Sequence, residues 1–84
     1  MTGPAFKVWR VLEEQEVADE QGRKYRVITK KEFISEIVDP KQEIYLTWME
    51  IAEHFGEGYY LVEIPKEIRE QYVVPSEQRI RAPT

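Results

Sequence analysis

Hydrophobic residues along this chain begin in alternation, shift to helical spacing, and then return to alternation. In Ala5–Glu14, AFKVWRVLEE, a period of two puts Phe6, Val8 and Leu12 on one face and Trp9 and Val11 on the other. Both faces carry apolar groups, so this strand is predicted to pack on helices with one side and to be partly covered on the other. The polar run ADEQGRK at 18–24 supplies a turn with Gly22 free to adopt positive φ, and KYRVIT at 24–29 resumes the strand pattern. Together these segments predict an antiparallel hairpin.

Thr29-Lys30-Lys31-Glu32 matches a capping box, in which the threonine oxygen accepts from a first-turn amide and the glutamate reaches back to the cap amide. Phe33, Ile34, Ile37 and Val38 follow at helical spacing, so a helix is predicted over 30–38, stopped by Pro40. EIYL at 43–46 is a short strand candidate. Thr47-Trp48-Met49-Glu50 is a second capping box, followed by Trp48, Ile51, Ala52 and Phe55 at i, i+3, i+4 and i+7, which predicts a helix over 48–55 closed by a left-handed Gly56. YYLVEI then reads as a strand, and PKEIREQY as a short helix that Pro65 can open and Pro75 ends.

The expected fold is therefore α+β, in the order β-β-α-β-α-β-α. A small, mainly antiparallel sheet is packed on one face by the two amphipathic helices at 30–38 and 48–55. Residues 5–75 form the single domain, 1–4 a disordered N-terminus, and 76–84 a C-terminal tail, docked at most through Ile80.

Composition narrows the class. Eighty-four residues enclose one modest core, and a hydrophobic fraction of 42% with two Trp and five Tyr separates the chain from disordered sequences. Without cysteine, neither disulfides nor thiolate metal sites are available. No long apolar run suggests a signal or membrane span, so a cytoplasmic protein with no membrane contact is expected. Glutamate far outnumbers aspartate, and asparagine and cysteine are absent, a trend that points to a thermophilic, archaeal source or its virus or plasmid.

The net charge of −4 is unevenly spread, +2 over residues 1–31 and −6 over 32–84. The cations concentrate on RKYRVITKK, where Arg23, Lys24, Arg26, Lys30 and Lys31 surround Tyr25 and could hold a single nucleic acid strand by backbone attraction and stacking. The competing expectation is that Glu13, Glu14 and Glu16 neutralise them across the hairpin.

Two segments resemble DNA-binding families. EIAEHFG at 50–56 resembles the first helix of a helix-turn-helix, which implies a following recognition helix with basic or amide side chains. Here Glu57, Gly58, Tyr59 and Tyr60 follow instead, and no Lys or Arg occurs between Lys41 and Lys66. The stretch therefore reads as a capped core helix leading into a strand. VEIPKEIRE at 62–70 resembles the junction of first hairpin and short helix in AbrB-type swapped-hairpin regulators, which implies a dimer binding DNA through basic residues. The following QYVVPSEQRIRAPT lacks that family's glycine-containing turn and closing strand.

Catalytic chemistry finds little support. His54 is the only histidine, and with Glu50 one turn earlier it makes two ligands where a metal site needs at least three. Ser35 and Ser76 form no convincing triad, and GEG at 56–58 follows a helix where a phosphate loop would open one. The expectation is a non-catalytic accessory or regulatory protein with no cofactor, metal or small-molecule substrate, which binds a protein partner or itself, a homodimer being one form of the latter. Trp9, Tyr45, Tyr59 and Tyr60 are the candidate contact residues, because tyrosine and tryptophan bury large areas while keeping a polar tip. Nucleic-acid binding through the 23–31 strand, or as a divergent relative of either DNA-binding family, is the alternative.

Overall fold

A computed structural model describes residues 3–38 and 44–83. The first two residues, the Pro40 helix stop, the first residue of EIYL and the last residue of the tail lie outside the described residues.

Two long strands come first, β1 (Ala5–Ala18) and β2 (Lys24–Val38), followed by α1 (Trp48–Phe55), β3 (Gly58–Glu63), α2 (Lys66–Gln71) and β4 (Glu77–Ala82). All pairings are antiparallel, and the four strands lie in the order β2-β1-β3-β4. The architecture is α+β, as the patterning predicts.

The hairpin turn forms where Asp19 and Gly22 place it. Gly22 takes φ 80°, its N–H donates to the Asp19 carbonyl, and the Asp19 side chain accepts from the amides of Gln21 and Arg23. Those amides and the Arg23 guanidinium hold the Asp19 carboxyl below its usual range.

The helix expected over 30–38 is a strand. β2 pairs with β1 from Lys24 to Val38, and the Thr29 hydroxyl, expected as a helix cap, donates 2.7 Å to Glu13 Oε1. The helical spacing misleads because β2 is bulged. Ser35 faces Val8 and Phe33 faces Trp9, leaving Ile34 as an extra residue. That extra residue lets Ile34 and Ile37, three apart, both pack against the core, while Phe33 is half exposed on the other face.

Further corrections follow from tertiary contacts. Ile44–Leu46 form no strand. Instead the Gln78 side-chain amide donates to the Leu46 carbonyl and accepts from its N–H, both at 3.1 Å, so one side chain does the work of a neighbouring strand. The supposed tail forms β4 over Glu77–Ala82, with Ile80 and Ala82 buried. Leu12, expected beside Phe6 and Val8, is 55% exposed because a second bulge falls at its position. Trp48 is likewise outside the core, and Gly56 closes α1 at φ 85°, ψ −167°, with positive φ but outside the left-handed helical region.

The capping box at α1 forms as predicted. Thr47 Oγ1 accepts from the Glu50 amide, and Glu50 Oε1 accepts from the Thr47 amide. Ile51 of α1 and Ile68 of α2 join Phe6, Val8, Tyr60, Val62 and Ile80 in one buried cluster. Each fully buried Ile, Val or Phe side chain contributes roughly 1.5–3 kcal/mol. The radius of gyration is 14.0 Å, against about 12 Å for a compact chain of this length. The excess comes from the β1–β2 hairpin, since β1 pairs with β3 only over Lys7–Arg10 and continues with β2 as a two-stranded arm.

Candidate interaction surface

Cross-strand register assigns the side chains to two faces, because residues directly opposite one another share a face. Val8, Val62 and Gln78 lie on the helix-covered face, as do Arg10, Tyr60 and Ile80. Trp9, Leu61 and Arg79 lie on the opposite face, together with Tyr59 and Arg81 and, across β1, Phe33 and Lys31. Both helices contribute to the cluster on the first face, so among the described residues the second face is covered only by the hairpin.

Glu14 organises that cover. Its side chain is only 10% exposed, and its carboxylate lies 3.4 Å from Arg26, 3.6 Å from Arg79 and 3.9 Å from Arg81. Tyr59 donates its hydroxyl to Glu14 Oε2 at 2.5 Å. This hydrogen bond, assisted by the three guanidinium charges, holds the Glu14 carboxyl below its usual range against the opposing effect of desolvation. Burial, and then the Glu14 bond and charge, push the Tyr59 hydroxyl up. The Arg81 guanidinium stacks 4.0 Å from the Tyr59 ring centroid, and Arg79 Nη1 donates 2.8 Å to the Arg26 carbonyl of β2. The base of the arm is thereby fastened to β3 and β4.

Among the expected contact residues, Trp9 and Tyr59 share this face, whereas Tyr45 stands in the segment before α1, where it is exposed. Trp9 meets Phe33 edge-on at 5.3 Å and carries Lys31 Nζ 4.3 Å from its ring centroid, and its indole N–H is buried without a partner. Tyr60 is a correction. It is 0% exposed, and its hydroxyl lies 3.0–3.3 Å from the carbonyls of Phe55, Gly56 and Glu57, where it satisfies the end of α1.

The basic strand is matched across the hairpin. Arg23 pairs with Asp19, Lys24 and Arg26 with Glu16, Arg26 also with Glu14, and Lys30 with Glu13. Tyr25 remains exposed beside them. β3 occupies the place where a recognition helix would follow α1. The strand–Pro65–helix junction does lead into a closing strand, β4, which pairs with β3 of its own chain.

Sequence reasoning missed Glu14 as the hub, Arg79 and Arg81 as its partners, and Gln78. The only available signal was the alternation of Gln78 and Ile80 with Arg79 and Arg81, hidden in a segment poor in apolar residues. A groove of about 710 Å³ runs beside α2, lined by Lys7, Lys66 and Arg69 and by Glu63 and Glu67. Glu14, Asp19 and Tyr59 all lie away from it. Among the described residues no three His, Asp or Glu side chains are grouped to hold a metal ion, and no helix is long and apolar enough to cross a membrane. Comparison with protein-family models, with curated proteins and with solved structures finds no match to this chain.

Proposed function

We propose that this chain is a non-catalytic accessory or regulatory protein that binds a protein partner or a second copy of itself through the β1–β2 hairpin. The observation that carries this reading is the edge strand β2. Among the described residues it runs for 15 residues with one neighbour, and it and its bulged partner leave Leu12, Tyr25, Val27 and Phe33 in solvent. Trp9 and Tyr59 lie at the arm's base and Tyr45 at a separate exposed position. The internal neutralisation of Lys24, Arg26 and Lys30 favours a protein partner over nucleic acid, since phosphate binding needs uncommitted cations.

Light scattering across a concentration range, with affinity capture from the source cell using wild type and a Tyr25→Ser/Phe33→Ser variant, tests the reading. A strictly monomeric wild type that captures nothing beyond what the variant captures would sink it. So would low-salt binding of DNA or RNA that weakens steeply as salt rises.

The glutamate-rich, asparagine-free composition and the ion-pair network at Glu14 favour a cytoplasmic protein of a thermophilic archaeal microbe, or of its virus or plasmid. An unfolding midpoint within the mesophile range of about 45–65 °C would count against that source.

A further inference from the structure

We propose that a second copy of this chain covers the uncharged face of the hairpin arm. The two arms stack face to face with their tips pointing the same way, about a twofold axis running along the arm. Each copy then lays its β1 over the other's β2. This inference rests on the self-binding form of the function proposed above and names its surface and geometry.

Alternation along the arm sorts its side chains into two unlike faces. From Glu14↔Ile28 to Ala18↔Lys24 the register is unbroken, so Glu16, Lys24 and Arg26 share the face of Glu14, where Lys24 and Arg26 meet Glu16 and Arg26 also meets Glu14. The other face carries Gln15, Val17, Tyr25 and Val27, with no charge among them. The bulge at Thr29 adds a residue to β2 alone. Glu13, two residues before Gln15 on β1, therefore borders this second face, and both Thr29 and Lys30 meet its side chain there.

Nothing in the single chain covers the uncharged face. Among the described residues none from 9 to 33 joins the buried cluster, and Tyr25 is 53% and Val27 38% exposed. A two-stranded ribbon is marginal in water until a further layer covers its apolar side.

The charge pattern makes a second arm the matching layer. Glu13, Glu14, Glu16, Asp19 and Glu20 render β1 and the start of the turn acidic, while Arg23, Lys24, Arg26 and Lys30 render the other side basic. A twofold axis along the arm lays acid over base, setting Glu13 against Lys30 of the second copy twice and Val17 against Tyr25. An axis across the arm would lay β1 over β1 and β2 over β2, like over like. A partner of a single sign would match one strand and repel the other. Contact by the face is further favoured because the Arg26 carbonyl on the edge of β2 already accepts from Arg79. Glu13 and Lys30 lose little by sharing partners, since their own-chain contact is 3.9 Å long and exposed. The stripe is small, so the dimer is weak and its affinity sensitive to single charges.

Sedimentation equilibrium up to about 1 mM protein, with wild type, Lys30→Glu and Glu13→Lys, tests the geometry. Each single reversal is expected to weaken the dimer about tenfold or more, as is Val27→Ser, which leaves both charges in place. An equimolar mixture of the two reversals should regain the wild-type affinity, because each copy then meets the opposite charge on the other although both own-chain pairs stay broken. Mixing Lys66→Glu with Glu70→Lys, an exposed pair on α2, matches these net charges and should associate no more tightly than either variant alone. On dilution of wild type, amide chemical shifts should move over residues 12–18 and 24–30 and hold still over α2. A dimer indifferent to all three substitutions, or a mixture of the reversals no tighter than either alone, overturns this inference while leaving self-association intact. A wild type monomeric at every concentration overturns it as well, and leaves an external partner as the remaining form of the proposed function.

Discussion

The hydroxyl of Tyr59 on β3 donates a 2.5 Å hydrogen bond to the Glu14 carboxylate on β1, across 45 residues of sequence. The two strands pair directly only over Lys7–Arg10 of β1, so this bond acts beyond the end of their ladder. With Arg26, Arg79 and Arg81 gathered on the same carboxylate, it fixes where the hairpin arm leaves the sheet.

Glu14→Gln is expected to loosen the arm while sparing the core. It keeps the side chain's size but leaves the guanidinium groups of Arg26, Arg79 and Arg81 without their shared charge. Amide exchange should quicken over residues 12–18 and 24–30, and protection at Tyr60 and Val62 should stay at the wild-type level. Equal acceleration in both regions would refute the arm-specific role.

Acid should weaken the same contact. The Glu14 carboxyl is held below the ordinary glutamate value of 4.5, so its contribution is fully present above that value. It is lost as pH falls through the lower, folded-state value. The difference in urea midpoint between wild type and Glu14→Gln should therefore be constant near neutral pH and shrink in acid below the ordinary glutamate range. A difference that grew as pH fell would reverse the assignment.

Gln78→Ala is expected to cost about 1–3 kcal/mol, because it strands both the N–H and the carbonyl of Leu46 in a part-buried site. Gln78→Glu should not rescue the loss. A carboxylate can accept from the Leu46 N–H but cannot donate to its carbonyl. Chemical denaturation of the two variants measures this directly.

Gly58→Ala should destabilise the protein by about 1–3 kcal/mol, through a close approach to the Tyr60 ring. A Cβ there would stand 3.0 Å from the Tyr60 hydroxyl and 3.1 Å from two ring carbons, on a backbone at φ 158°. Tyr60→Phe should cost about 1 kcal/mol by removing the donor at the end of α1. The two substitutions act on one contact, so the double variant should lose less than the sum of the singles.

Much of the framework was legible because its determinants are local. The Asp19–Gly22 turn, the Thr47–Glu50 capping box and the alternation of β3 each depend on a few neighbouring residues, and all three form. The surface was less legible. Trp9 and Tyr59 were visible as aromatics, but Glu14 is one glutamate among many until β4 brings Arg79 and Arg81 beside it.

By itself the sequence determined an α+β chain with one hairpin, a capped helix over 48–55 and a strand after it, since short-range hydrogen bonds and periodicity specify those elements. Tertiary structure decided the rest. Residues 30–38 carry the marks of a helix, yet β1 offers a partner to each of them but Ile34, and the bulge there absorbs the mismatch in period. Residues 77–82 have little apolar surface of their own, yet they become β4 because β3 supplies an open edge and the core takes up Ile80 and Ala82. A strand is stabilised by a neighbour that can lie anywhere in the chain, so its existence is a property of the pair and not of the segment.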